Sequence, residues 1–147
     1  MNRSELQEYL YKNIPLSKAI GIEVQEISAA GVTLFAPLAQ NVNHQGTVFA
    51  GSASAVALLS AWALLSAALK KESIRGRGVV YNNSMSYDLP IAGDFTAFAP
   101  APDAAAWQRF KKTLRLKGRA RIRLQATLYS NGQQVGKMEG DFVGLSE

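Results

Sequence analysis

Residues 43–65 read NHQGTVFAGSASAVALLSAWALL, a polar, glycine-bearing turn running into a long uncharged stretch. How that stretch is read decides the fold. The segment Val48–Leu69 is long enough to cross a bilayer. Its composition points elsewhere. It is rich in alanine, the best helix former in water, and carries Ser52, Ser54, Ser60 and Ser66, so it inserts into lipid less well than a run of Leu, Ile or Phe. A helix apolar on every side belongs where other elements enclose it. We therefore expect a central buried helix and no membrane span.

The flanking segments can supply that enclosure. Upstream, Ser4 suits an N-cap, and Leu6, Tyr9 and Leu10 follow at helical spacing, predicting a short helix to Asn13 that Pro15 ends. Leu16, Ile20 and Ile22 pack a lead-in turn. Glu23–Ser28 and Val32–Pro37 read as strands hinged at Ala30-Gly31, and Leu38–Thr47 as a polar loop. Downstream, RGRG at 75–78 turns the chain into a strand, Val79–Leu89, that Pro90 ends. Gly93–Pro100 is a further strand. Asp103 caps a helix whose Ala106, Trp107, Phe110 and Leu114 share a face. Arg119–Ser130 and Gln133–Val143 form a hairpin through Asn131-Gly132. One sheet and one apolar helix must cover each other. The expected fold is α+β, a curved antiparallel sheet wrapped around a long central helix, in a single domain over residues 1–147.

There are no cysteines among the 147 residues, which removes disulfides, thiolate metal sites and a Cys nucleophile. The N-terminus MNRSELQEYLYKN has no apolar core or cleavage site of a signal peptide, so a cytoplasmic location is expected. No metal or cofactor is expected.

At the loop and helix start the pattern becomes specific. N-H-Q-G-T-V-F-A-G-S, followed by a helix bearing Leu, Ser and Trp, resembles the hotdog-fold thioesterases, most of all the thioesterase family named for the YiiD C-terminal domain. In many hotdog thioesterases an Asn-x-x-Gly loop precedes a His-Gly-Gly helix start. Asn43 and Gly46 match the loop, while Phe49, Ala50 and Gly51 stand at the His-Gly-Gly positions, so only the last glycine is kept. S-Y-D-L-P-I-A-G-D at 86–94 resembles the strand–Pro–x–x–Gly–Asp step of the same families.

The resemblance implies the hotdog fold and an acyl thioesterase acting on a thioester of coenzyme A or acyl carrier protein. It also implies a homodimer or dimer of dimers with an acyl tunnel between subunits. The alternative is a noncatalytic acyl-thioester binding protein on the same fold. A helix N-terminus offers unpaired N–H groups that can stabilise an oxyanion, and Gly51, without a Cβ, would let a carbonyl approach. Gly46, Thr47, Phe49 and Ser52 then fall beside the substrate. Many relatives carry an Asp or Glu on this helix or in the loop to activate water. Here the helical slot falls near Leu58, Leu59 or Ser60, and no acid lies between Ile27 and Leu69.

Several residues could replace that acid. His44, the only histidine, is either a general base or a loop residue held by a backbone hydrogen bond. Asn43 either orients water or holds an Asx-turn. Ser60 either binds water or bonds back to its own helix. Tyr81, Asn82, Asn83 and Ser84 make a polar stretch that either contacts pantetheine or hydrogen-bonds across a dimer seam. Asp88 could act from a partner subunit, and Asp94 turns the Ala92-Gly93 step. No residue resembles an activated nucleophile, so direct attack by water is expected.

The net charge of +5 is localised: eight of the 16 Lys and Arg fall between Arg109 and Arg123. Lys117, Arg119, Arg121 and Arg123 alternate along one strand face, with Lys111, Lys112 and Arg115 on the adjoining helix. They make either a solvated outer face or a landing site for coenzyme A phosphates or an acidic carrier. No aromatic residues are interleaved to stack bases, so nucleic acid is not expected. Arg75 and Arg77 are a second candidate for phosphate contact.

Overall fold

The computed structural model describes residues Met1–Glu147. The uncharged stretch forms α3, Ala50–Lys71. By length and composition it could cross a membrane; in the fold it lies against five strands. Val56, Ala57, Ala61, Ala63 and Leu65 have no exposed surface, which is why the helix carries small and apolar residues around more than one face.

Ahead of it come α1 (Arg3–Asn13), α2 (Pro15–Ile20), β1 (Glu23–Ser28) and β2 (Gly31–Ala36). After it come β3 (Gly76–Tyr87), β4 (Phe95–Pro100), α4 (Ala104–Lys117), β5 (Arg119–Ser130) and β6 (Gln133–Ser146). The strands form one antiparallel sheet in the order β1-β2-β4-β5-β6-β3. The expected order of elements holds, with local corrections. Asn2, not Ser4, caps α1: its side chain accepts from the Glu5 amide while the Glu5 carboxylate accepts from the Asn2 amide. Pro15 opens α2 at its first turn, where a missing N–H costs nothing, so the expected turn is a helix. β3 starts at Gly76 because Gly76 and Gly78 continue the ladder with β6. Lys117 ends α4 rather than joining β5.

Ala120, Gly144 and Gly78 are cross-strand partners and share a face. A Cβ built on Gly78 would meet Leu65 of α3, and one on Gly144 would meet Phe110 of α4. Both helices therefore cover the same side of the sheet. The alternation of β5 follows: Ala120, Ile122 and Leu124 are buried under the helices, while Arg119, Arg121 and Arg123 face out. On that outer face the Arg121 guanidinium lies 4.7 Å from the centre of the Tyr81 ring. Arg123 pairs with Glu139 at 3.1 Å and Asp141 at 3.3 Å. Those hydrogen bonds, to Glu139 first and then Asp141, hold the Arg123 pKa up. Lys111, grouped by sequence with the surface bases, is only 8% exposed. It bonds Glu72 at 2.9 Å, and Arg115 bonds the same carboxylate at 3.0 Å.

β3 is an edge strand paired only with β6. Of its twelve residues Gly78 alone is buried, and Val79, Val80, Tyr81 and Tyr87 are exposed. A long, exposed edge strand is a template for strand pairing.

Candidate active site

The loop ahead of α3 is held by its own asparagine. The Asn43 Oδ1 accepts from the amides of Gln45 (2.8 Å) and Thr47 (3.2 Å), and its Nδ2 donates to Thr47 Oγ1 (3.0 Å). The Gly46 amide donates to the Asn43 carbonyl at 3.2 Å, and Gly46 has φ +79°, a conformation other residues rarely adopt. The Asn43 amide is thus committed to an Asx-type turn, and with it the Thr47 hydroxyl. His44 lies exposed in this loop and its ring makes no hydrogen bond within the chain.

Two long-range bonds carry the chain into the helix. The Val48 amide donates to the Ile91 carbonyl at 2.9 Å, and the Phe49 amide to Asn41 at 2.7 Å. Phe49 is the N-cap, and its carbonyl accepts from Ser52 at 3.0 Å and Ala53 at 3.1 Å. No side chain caps the helix. The amides of Ala50 and Gly51 donate no hydrogen bond within the chain. They are bare donors at the positive end of a 22-residue helix.

The space above Gly51 is occupied differently from expectation. A Cβ at Gly51 would lie 2.3 Å from the Phe49 ring, so the ring of the N-cap residue uses the room that the sequence reading assigns to a substrate carbonyl. Phe49 is 57% exposed, so solvent lies beyond the ring. Ser60 does not reach this region. It has no exposed surface, and its hydroxyl donates to the Ala57 carbonyl at 2.7 Å, the back-bond within the helix.

A cleft of about 300 Å³ opens at the helix start, lined by Asn43, Thr47, Ala50, Ala53, Tyr87 and Asp88 among others. Asp88 is its one charged side chain. It follows β3, where its amide donates to the Val135 carbonyl at 2.9 Å, and the Ser86 hydroxyl donates to its Oδ1. The sequence reading allows Asp88 to act from a partner subunit; within the chain it lines the cleft at its own helix start. The signal for this was present: the strand–Pro step at 86–94 is the segment that the Val48–Ile91 bond ties to the helix lead-in. Asp94 is held elsewhere, its Oδ1 accepting from the Leu38 amide at 2.8 Å.

The polar residues of β3 divide between two faces. Asn83 pairs with Gly140 and Leu124 on the helix side, while Asn82 and Ser84 share the outer face with Asp141 and Glu139. Tyr81 lies at the bulge under Arg121, also outward. The structure brings Asn43, Thr47, Ala50 and Asp88 together and leaves Ser60, Tyr81, Asn82 and Ser84 apart from them.

A sheet wrapped around a central helix, with an uncapped helix start at a cleft, is the architecture of the hotdog fold. Solved structures agree. A protein of unknown function from Chlorobaculum tepidum superposes with a TM-score of 0.94 at 27% identity, covering 99% of this chain and 94% of that one. A protein titled a putative thioesterase, from Shewanella oneidensis, gives 0.86 at 22% identity, with 97% and 96% covered. A thioesterase from Haemophilus influenzae gives 0.79 at 11% identity, with 99% and 92% covered. The sequence profile of the family described as "Putative thioesterase (yiiD_Cterm)" matches residues 3–146, and the chain belongs to that family.

Proposed function

We propose that this protein hydrolyses an acyl thioester, carried by coenzyme A or an acyl carrier protein, through direct attack of water at the start of α3. The observation that carries the reading is the pair of unpartnered amides at Ala50 and Gly51, next to a cleft whose only charged side chain is Asp88. The carbonyl oxygen of the thioester accepts from these amides. As water adds, charge develops on that oxygen, and each donor lowers the barrier by about 3 kcal/mol. Asp88 takes the proton from the attacking water. The C–S bond then breaks, and the departing sulfur takes that proton. The Ser86 hydroxyl donates to Asp88 Oδ1, which leaves the other carboxylate oxygen to take the proton. His44 lies outside the lining of the cleft, so Asp88 is preferred as the base.

The protein acts as a homodimer through the open edge of β3. The support is the strand's length and its exposed Val79, Val80 and Tyr81.

The test is a panel of short-, medium- and long-chain acyl-coenzyme A and acyl-carrier substrates with the wild type, Asp88→Asn and His44→Ala. Positioned acid–base groups are worth about 10² or more in rate. Asp88→Asn should lose about that factor in kcat while still binding a nonhydrolysable acyl-thioester analogue, and His44→Ala should keep the wild-type rate. Binding without turnover by the wild type would select the noncatalytic reading, which the absence of any acid in α3 favours.

A further inference from the structure

β5 is paired along its length on one side only. β6 meets it from Arg119 to Ser130, whereas β4 meets it only from Thr127 to Tyr129. The Ser146 amide donates to the Gly118 carbonyl at 2.9 Å. Antiparallel pairing alternates from there, so Ala120, Ile122 and Leu124 turn their peptide groups to β6, while Arg119, Arg121, Arg123 and Gln125 turn theirs away. No strand meets the groups that are turned away. We propose that this open half-edge takes up an extended segment of another protein, alternating acidic and apolar residues, as an added strand.

A groove follows the edge. A cavity of about 360 Å³ is lined by one stripe of α4, Ala106, Arg109, Phe110 and Thr113, and by residues 120–123 of β5. Successive strand residues point to opposite faces, so a lining of four in a row runs along the strand's edge and not over one face. In strand addition, main-chain hydrogen bonds give affinity and alternate side chains give specificity. An added residue opposite Arg121 or Arg123 would share the outer face with those guanidinium groups. Its neighbours would point to the helix side, where Ile122 and Phe110 make the wall apolar.

Charge decides what the outward residues are. Arg109, Arg119 and Arg121 are exposed and make no ion pair within the chain. Arg123 already holds Glu139 and Asp141, so the acids beside the edge are partnered. Opposite charges across a strand pair stabilise it, and arginine binds carboxylates through charge-assisted hydrogen bonds. The outward residues are therefore Asp or Glu. A second copy of this chain offers no such strand. Its β3 edge carries Arg77 and no acid. Its β1 edge carries Glu23 and Glu26 but is covered by α1, where Gln7 Oε1 accepts from the Val24 amide at 2.7 Å. The cleft at the helix start reaches β5 at Leu128, about 17 Å along the strand from Arg123, so this assignment does not depend on the thioester reading.

The experiment titrates a heptapeptide of alternating glutamate and valine into the full chain, with amide hydrogen exchange as the readout. The expected result is saturable binding, with exchange at the Arg121 and Arg123 amides fast in the free protein and slowed in the complex. A peptide of the same residues in two blocks, equal in charge, should bind about tenfold more weakly or less. Arg109→Ala/Arg121→Ala should raise the dissociation constant about fivefold, and Lys18→Ala, on the distant α2, should leave it unchanged. Absence of saturable binding up to about 1 mM, equal binding of the blocked peptide, or binding without protection of the two amides overturns the proposal. Amides that are protected in the free protein and lose protection on dilution would put a second copy at this edge, and that result overturns it too.

Discussion

Replacing Ala50 with proline removes one N–H from the start of α3 and nothing that the fold uses. The amide at this position has no partner. Ala50 is the first residue of the helix, where proline is favoured because the N–H is unpaired and the fixed φ suits a helix. The residue before a proline must be extended, and Phe49 already has φ −58° and ψ 132°. Ala50 is exposed, so the ring projects into the open cleft. Stability is expected to stay constant or to rise by up to about 1 kcal/mol, since the substitution restricts the unfolded chain. The effect on catalysis runs the other way. Losing one of two donors costs about 3 kcal/mol, or roughly 100-fold in kcat. The pyrrolidine ring also stands where the N–H pointed. Urea unfolding measures the first quantity, and thiol release at saturating substrate measures the second. Ala50→Gly, which keeps the N–H, should retain activity. A stable Ala50→Pro protein that turns over at the wild-type rate would refute the role of these amides. A loss of about 3 kcal/mol in stability would instead mean that the amide has a partner in the folded chain.

Asn43→Ala removes two bonds accepted from backbone amides and two donated, to the Thr47 hydroxyl and the Val48 carbonyl, and should cost about 2 kcal/mol in urea unfolding. Asn43→Asp keeps both accepted bonds and should preserve stability and turnover; a folded Asp variant without activity would return Asn43 to the role of orienting water. Glu72 has its pKa lowered by hydrogen bonds from Lys111 first and then Arg115. A carboxylate with a lowered folded-state pKa stabilises fully above its unfolded value and loses that contribution as pH falls through the folded value. Glu72→Gln should therefore be less stable than wild type near neutral pH, with the gap closing below the ordinary glutamate range in pH-dependent thermal melts. Val80→Glu places a charge on the open β3 edge and should convert a dimer to a monomer in sedimentation equilibrium, and an unchanged mass would remove β3 as the interface.

What the sequence discloses and what it withholds divide along a physical line. The uncharged stretch, the Asn131-Gly132 turn and the alternation in β5 are local patterns, each fixed by the period of one element, and each is legible. The turn at Asn43–Gly46 is legible for the same reason, because a short polar side chain bonds its own neighbours. Boundaries fail where a glycine has a long-range purpose. Gly76 and Gly78 read as a turn, yet Gly78 belongs to a strand that must approach Leu65 closely enough to exclude a side chain.

The site fails to be legible in the same way. In sequence Gly51 reads as room for a ligand, whereas the ring two residues earlier folds back over it, a choice of rotamer that no spacing encodes. Asp88 is 38 positions from Ala50, and their meeting depends on a single amide–carbonyl bond between Val48 and Ile91 and on β6 holding the end of β3. In the proposed mechanism, the acid absent from the helix comes from the segment that the sheet returns to the helix start. That arrangement ties a candidate base to the register of β3 on β6: a slip of one residue would turn Asp88 to the other face. The bond from the Asp88 amide to Val135 is therefore as much a part of the site as the carboxylate it positions.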